Sequence, residues 1–285
     1  MARRNVNTQI LKQIIRMPDS HKGSHGSVAV VGGNIGMLGA ALLSGRAAFA
    51  AGAGKVWLNV VDQRLAVDPF APELMIRSHN GDLAQATALA VGPGLGADTV
   101  AHTALERCFV QSHIPTVFDA DALNMMSRTD SYRNQLHNRT SMAILTPHPA
   151  EAGRLLGCDV ADIQDNRLQA AERISQHYHS IVVLKGDQSV VFHPSGEYVV
   201  NSSGGPALAV AGQGDVLTGV IAALLGQGID SFEAASLGAY IHGLAGDLYA
   251  EQAQGDIGLT ASAMPKLVSQ VMNRLLRALV SSPVL

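Results

Sequence analysis

Short apolar runs of strand length recur along this chain, and segments of helical period stand between them. Residues 27–31, 55–61, 88–91, 115–119, 142–145 and 180–184 read as strands. Residues 38–51, 99–109, 166–178, 231–249 and 264–279 read as helices, and 151–156 begins another. Parallel neighbours in a sheet need a crossover connection, usually a helix, so strands spaced this way are built for parallel pairing. The alternation predicts an α/β fold of three layers, α/β/α, with a mainly parallel central sheet. Residues 190–193 return as a strand directly after 185–189, which reads as a hairpin at the sheet edge. At the start, residues 5–17 read as a short amphipathic helix stopped by Pro18, and 68–75 as a proline-containing loop.

The chain has 285 residues, 47% of them hydrophobic, which is enough to bury a large core. It shows no internal repeat and no low-complexity linker, so residues 1–285 are expected to form a single domain. A net charge of -3 argues against nucleic acid or an anionic membrane surface as the main partner. No stretch is long and apolar enough for a membrane span; residues 37–53 carry Arg46, and 216–225 is short. The basic N-terminus lacks the apolar region of a signal peptide. Cys108 and Cys158 have no metal-binding spacing, and a reducing cytoplasm fits them.

The densest chemistry lies in residues 201–228, NSSGGPALAVAGQGDVLTGVIAALLGQG. Glycines and small residues give way to an apolar helix, with Gly212-Gln213-Gly214-Asp215 at the pivot. Glycine lets the backbone turn tightly and approach a ligand closely. A helix starting near Gly214 would aim free N–H groups and a partial positive charge at the loop, an arrangement suited to phosphate. Asp215 stands at its mouth. The helix dipole is expected to hold that carboxylate ionised, ready to take a proton from a hydroxyl attacking phosphorus. The alternative is that Asp215 merely caps the helix.

Other strand ends carry their own signals. Gly32-Gly33-Asn34 turns the first strand into a helix of small residues, where Gly39 and Ala40 suggest that something packs against its backbone. Gly92-Pro93-Gly94-Leu95-Gly96 is either a plain tight turn or a wall for a flat or polyphosphate ligand. Asp119 and Asp121, in DADALN, lie at a strand's C-terminal end, where open parallel sheets place ligands. They would bind Mg²⁺ through water or cap the following turn; Asp119 reads as structural, and Asp121 stays open. His148 is held stiffly between Pro147 and Pro149, with Glu151 following, and is a candidate ligand contact. Lys185 and the loop Gly186-Asp187-Gln188-Ser189 either meet a nucleotide phosphate or form an ordinary hairpin turn. His242 falls inside or near the helix at 231–249.

In order, GG-x₅-GA (Gly32 to Ala40), GPGLG, DADALN, LTPHPAE, LKGD and GQGDVLTG resemble the ADP/ATP-dependent NAD(P)H-hydrate dehydratases of the ribokinase-like superfamily. The resemblance spans about residues 22–261. It implies repair of hydrated NADH and NADPH (NADHX and NADPHX). A nucleotide, ADP in bacterial members and ATP in eukaryotic ones, phosphorylates the ring hydroxyl, and loss of phosphate restores the double bond. Mg²⁺ is expected to neutralise phosphate charge. By the resemblance Asp215 is the base and touches the substrate; Ala40, Gly94 and His148 hold the hydrated dinucleotide. Lys185, Gly186, Asp187, Gln188, Ser189 and Gly214 bind the adenine nucleotide. N–H groups of Ala211, Gly212, Gln213 and Gly214 form the anion hole. A homotetramer is implied, and the chain is too short at its start for the epimerase domain that many relatives carry. The family usually reads close to NPTGNPGMATGGSGDVLTG in this region. Here Gly205 replaces an Asn, Val210 a Thr, Ala211 a Gly and Gln213 a Ser; Met37 stands where an aromatic is common and Ser262 where an Asp is frequent. A small-alcohol kinase of the same superfamily, or a non-catalytic nucleotide-binding relative, is the competing reading.

Overall fold

The computed structural model describes residues 1–281. Its strands are β1 (Ala2–Arg3), β2 (Ser27–Gly32), β3 (Lys55–Val60), β4 (Met75–Ser78), β5 (Ala88–Val91), β6 (Thr116–Phe118), β7 (Ile144–Leu145), β8 (Ile181–Leu184), β9 (Val190–Phe192) and β10 (Glu197–Val200). They join in one sheet, in the order β1-β10-β9-β8-β7-β6-β5-β2-β3-β4. Only β9 pairs antiparallel with its neighbours, β8 and β10; the other pairs are parallel.

The helices are α1 (Leu38–Ala50), α2 (Thr99–Val110), α3 (Asp121–Met126), α4 (Asp130–His137), α5 (Pro149–Leu156), α6 (Val160–Asp165), α7 (Arg167–Tyr178), α8 (Gln213–Gly226), α9 (Ser231–Ala253) and α10 (Met264–Ser281). They divide between the sheet's two faces. Alternate strand residues point to opposite faces, so Val28 and Val30 join α1, α8, α9 and α10 in one core, while Ala29 and Val31 join α2 to α7 in the other. Burial on both faces explains why β2 reads as an unbroken apolar run. The first core is built of small residues, which lets its helices approach closely. At Gly219 of α8 a side-chain carbon would collide with the Ser44 carbonyl of α1.

Several expectations need correction. Residues 5–17 form a 3₁₀ turn at Thr8–Ile14 rather than an α-helix. Its buried residues are Leu11 and Ile14, three apart, a spacing that aligns on a three-residue turn. The β8–β9 hairpin is not at the edge, because β10 and then β1 extend the sheet beyond it. Gly39 itself is exposed with open space around it; Ala40 is the one approached, by Gly94, and a closer approach in α1 lies further along, at Ser44. Among the described residues no helix is long and apolar enough to cross a membrane. Cys108 and Cys158 are free thiols, and burial pushes Cys108 up to about 12.

Candidate active site

The parallel strands deliver their loops to one end of the sheet, and the motif residues gather there. At the β2 end, Gly94 (φ +58°) packs on Met37 and Ala40: a Cβ on Gly94 would meet the Met37 carbonyl and lie 3.2 Å from the Ala40 Cβ. Only glycine fits both that backbone angle and that contact. Asn34 closes the same turn, its Nδ2 donating to Leu95 O at 3.1 Å and to Asp98 Oδ2 at 2.9 Å.

Towards the middle of the sheet lies a charged cluster. Lys185, at the end of β8, places Nζ 2.6 Å from Asp119 Oδ1 at the end of β6 and 3.8 Å from Glu151 Oε2 in α5. Asp119 is almost fully buried, and its other oxygen accepts from the Thr218 hydroxyl of α8 at 2.7 Å. Asp119 is thus a structural anchor, as the sequence suggests. Burial alone would push the Lys185 ammonium down, but Asp119 and Glu151 hold it above its ordinary range. Asp121 accepts from the Gly96 N–H at 2.8 Å, so DADALN braces GPGLG.

The first turn of α8 borders this cluster. A Cβ on Gly214 would sit 3.1 Å from Lys185 Nζ and 3.6 Å from Asp119 Oδ2. Gly212, at φ +89°, precedes the helix, and no side chain caps it. The N–H groups opening α8 are therefore left for a ligand. Ala211 is exposed beside them, while Gln213 is buried. Ser44 Oγ donates to the Asp215 carbonyl at 2.7 Å, tying this turn to α1.

Asp215 does not carry the charge state expected from the dipole alone. Burial, followed by the nearby Asp119 carboxylate and assisted by Asp121 and Glu151, pushes it up to about 7; Lys185 opposes the shift without cancelling it. Burial first, and then three neighbouring acids, outweigh the helix terminus and the single ammonium. Such a carboxylate exchanges a proton near neutral pH, which suits a general base. Asp215 is thus no cap: its side chain satisfies no N–H of its own helix start.

His148 is more structural than the sequence suggests. Its Nδ1 caps α5, accepting from Ala150 and Glu151 N–H, and Nε2 lies 3.3 Å from Glu151 Oε1. The ring remains half-exposed, and burial followed by Lys185 holds it below its usual range. Gly186, Asp187 and Gln188 form an exposed turn, with Gln188 at φ +50°, and the Ser189 hydroxyl donates to Gly186 O at 3.0 Å. Arg167 braces this turn from behind through the Leu184 and Lys185 carbonyls. Sequence reasoning missed Thr218 and the pairing of Gln213 with His242, whose side chains meet at 3.1 Å. The i, i+3 spacing of Asp215 and Thr218 on one helix face was the available signal.

With this geometry in place, comparison decides the family. A family model described as NAD(P)H-hydrate dehydratase matches residues 28–268. The chain belongs to that family. It is 41% identical over 288 residues to the ADP-dependent (S)-NAD(P)H-hydrate dehydratase of Neisseria meningitidis, covering 95% of this chain and 96% of that protein. It is 38% identical over 265 residues to the bifunctional NAD(P)H-hydrate repair enzyme of Escherichia coli, but spans only 50% of that longer protein. Among solved structures, the ADP/ATP-dependent NAD(P)H-hydrate dehydratase of Bacillus subtilis, co-crystallised with ATP and Mg²⁺, superposes with a TM-score of 0.83 at 29% identity, covering 95% of this chain and 98% of that one. A ribokinase-like superfamily protein of Enterococcus faecalis reaches the same score at 27% identity, covering 96% of each chain. The three-layer, mainly parallel fold of this dehydratase is therefore the ribokinase-like one.

Proposed function

We infer that this chain dehydrates hydrated NADH and NADPH back to the intact cofactors, using ADP as phosphoryl donor. The carrying observation is Asp215: a carboxylate poised near neutral pH at the uncapped N-terminus of α8, beside the Lys185 ammonium. The ring hydroxyl of the substrate gives its proton to Asp215 as its oxygen bonds to the terminal phosphorus. The bond from that phosphorus to the bridging oxygen breaks, leaving AMP. The substrate's C–O bond then breaks, the adjacent ring carbon gives up a proton to the departing phosphate, which leaves as hydrogen phosphate, and the double bond returns. The open N–H groups at Ala211 to Gly214 and the Lys185 charge stabilise the negative charge on the transferring group. Ala40, Gly94 and the exposed edge of His148 form the dinucleotide side; Lys185 to Ser189 with Gly214 form the nucleotide side.

Mg²⁺ suits this oxygen-rich site, but the acids are largely committed. Asp119 has both oxygens bonded, and Glu151 accepts from the His148 N–H while lying against its ring. Among the described residues no group of three or more His, Cys, Asp or Glu could hold a metal ion. Asp121 too has both oxygens engaged, one by the Gly96 N–H at 2.8 Å and the other by the Asn124 amide at 3.4 Å, so the ion would be held chiefly by nucleotide phosphate oxygens. When bound, it neutralises phosphate charge. A single domain, a homotetramer and a cytoplasmic location complete the proposal, on the strength of the family resemblance and the free thiols.

The test is an activity assay. Hydrated NADH and hydrated NADPH are each supplied with Mg²⁺ and ADP or ATP, and the reduced nicotinamide absorbance is followed. Absorbance should return fastest with ADP and fail in Asp215→Asn. No return with either nucleotide overturns the proposal.

A further inference from the structure

Just beyond the end of β3 stand an acid and an arginine to which the mechanism above gives no role. Asp62 is only 5% exposed, although it lies at the strand ends where ligands gather. Its N–H donates to the Gly33 carbonyl at 2.9 Å, which ties it to the glycine turn between β2 and α1. The next residue is anchored too, Gln63 Nε2 donating to the Ser78 hydroxyl of β4 at 2.8 Å. On this base Arg64 folds back. Its Nε donates to Asp62 Oδ1 at 2.9 Å, its Nη2 to Asp62 Oδ2 at 2.7 Å, and its backbone N–H to Oδ1 at 3.1 Å. These bonds hold the Asp62 carboxyl below its usual range, so it is ionised at neutral pH. The Arg64 side chain is 73% exposed all the same. With Nε and Nη2 turned to the carboxylate, Nη1 lies on the far side of the guanidinium, a donor held in one pose and left in the open.

The strand order limits what can reach it. Along the ligand end the sheet runs β8, β7, β6, β5, β2, β3. Lys185, at the end of β8, belongs to the nucleotide side, while Gly94, after β5, packs on Ala40 and Met37. With the phosphoryl donor at the β8 end, the rest of the dinucleotide whose ring meets Asp215 runs from Gly94 towards β2 and β3. Neighbouring strands stand about 4.8 Å apart, which puts the end of β3 about 10 Å past Gly94, within the span of an extended dinucleotide. The loops along that path expose apolar side chains: Ile35 is 70% exposed, Val67 51% and Met37 41%. Such a surface suits a flat ring such as adenine. In dinucleotide-binding α/β sheets an acid at a strand end reads a ribose hydroxyl, and an arginine nearby accommodates a 2′-phosphate. Here the acid is spent on the arginine, and a guanidinium so fixed is suited to a phosphate.

We propose that Arg64 is a specificity-determining residue that takes the adenosine ribose 2′-phosphate of hydrated NADPH, with Asp62 its positioning residue, so that this chain favours hydrated NADPH over hydrated NADH. The proposal rests on the reading that Ala40 and Gly94 line the dinucleotide side.

Calorimetric titration of the purified full chain with NADPH and NADH, which differ only in that phosphate, tests it beside turnover of the two hydrates. The unaltered chain should bind NADPH about tenfold more tightly, and the ratio should shrink as salt is raised. Arg64→Met should weaken NADPH by about tenfold and NADH by no more than about twofold, and should raise KM for hydrated NADPH with kcat kept. Because that change leaves the buried Asp62 without its cation, the double variant Asp62→Asn/Arg64→Met is measured alongside, with melting temperatures, and should lose the same preference. Asp62→Asn alone, which loosens the guanidinium, should lose part of it. Equal affinity for NADPH and NADH in the unaltered chain overturns the proposal. So does a folded variant that keeps the preference, or one that loses both ligands alike, the mark of a structural role. Failure of the unaltered chain to return the absorbance of either hydrate overturns instead the functional reading beneath it.

Discussion

Helices α5 and α8 both open beside Lys185, and their N-termini are built in opposite ways. In α5 the donors are met from within: His148 caps, Glu151 accepts from the His148 N–H at 2.8 Å, and Pro149 fills the first position, where no donor is needed. In α8 a glycine precedes the helix, no side chain caps it, and the acid of its first turn stays near its proton-exchange point. Helix ends without partners are costly unless solvent or a ligand meets them. The contrast separates residues that hold the site from those that act in it. The α5 start is scaffolding that fixes Glu151 next to Lys185, and the α8 start has no side-chain cap of its own.

The sharpest way to break this contrast is Asp215→Asn. Turnover should fall by about 10²- to 10⁴-fold, while nucleotide binding persists in a titration. The same change should raise the melting temperature by roughly 2–6 °C at pH 8, because it removes a carboxylate crowded by acids. The sign follows from the raised folded-state pKa: ionising Asp215 weakens the native state as pH climbs from about 3.8 to about 7. A variant that loses activity and also melts earlier would place Asp215 on the scaffold side.

Lys185→Met comes next. It strands the buried Asp119 carboxylate, and urea unfolding should show a loss of about 3–5 kcal/mol; an unchanged midpoint would mean that Thr218 alone satisfies Asp119. Third, turnover should climb with pH through about 7 as Asp215 ionises, falling about tenfold per unit below it. A flat profile from pH 6 to 8 would remove Asp215 as the base. Gly214→Ala should act more gently: its methyl would lie 3.1 Å from Lys185 Nζ, and the nucleotide KM should rise by roughly 3- to 10-fold. Smallest is His148→Ala, expected to cost about 1 kcal/mol of stability through the lost cap. Its half-exposed ring edge is on the dinucleotide side, so the hydrated-dinucleotide KM should rise as well; stability lost with that KM unchanged would leave His148 to the scaffold alone.

The sequence carried most of the long elements well, although α9, expected at 231–249, runs on to Ala253. The β2 run, α1, α7 and α8 stand within one or two residues of their expected limits, since burial on one or both faces leaves a plain periodicity. The short edge strands escaped it. β1 has two residues and no pattern at all, and β4, reading MIRS, has no clear alternation. The pivot at 212–215 was visible because glycines and an acid at a helix start have a local meaning. The charge state of Asp215 was not. It depends on Asp119, Glu151 and Lys185, which come from three other strand ends and meet only in the folded sheet. The Gln213–His242 pair was hidden for the same reason, being a contact between two helices that the chain separates by a turn.

One feature at the far edge of the sheet bears on the order of assembly. β1, at Ala2–Arg3, pairs with β10 at Glu197–Val200, and Arg4 then bonds Glu233 at 2.6 Å. Residues 2–4 therefore find their partners only across a very long stretch of intervening chain, at Glu197 and beyond. Long-range pairings of this kind form late, because a large loop must close first. The first few residues act as a latch that engages after the layers have already stacked, so their removal should hasten unfolding far more than it slows folding.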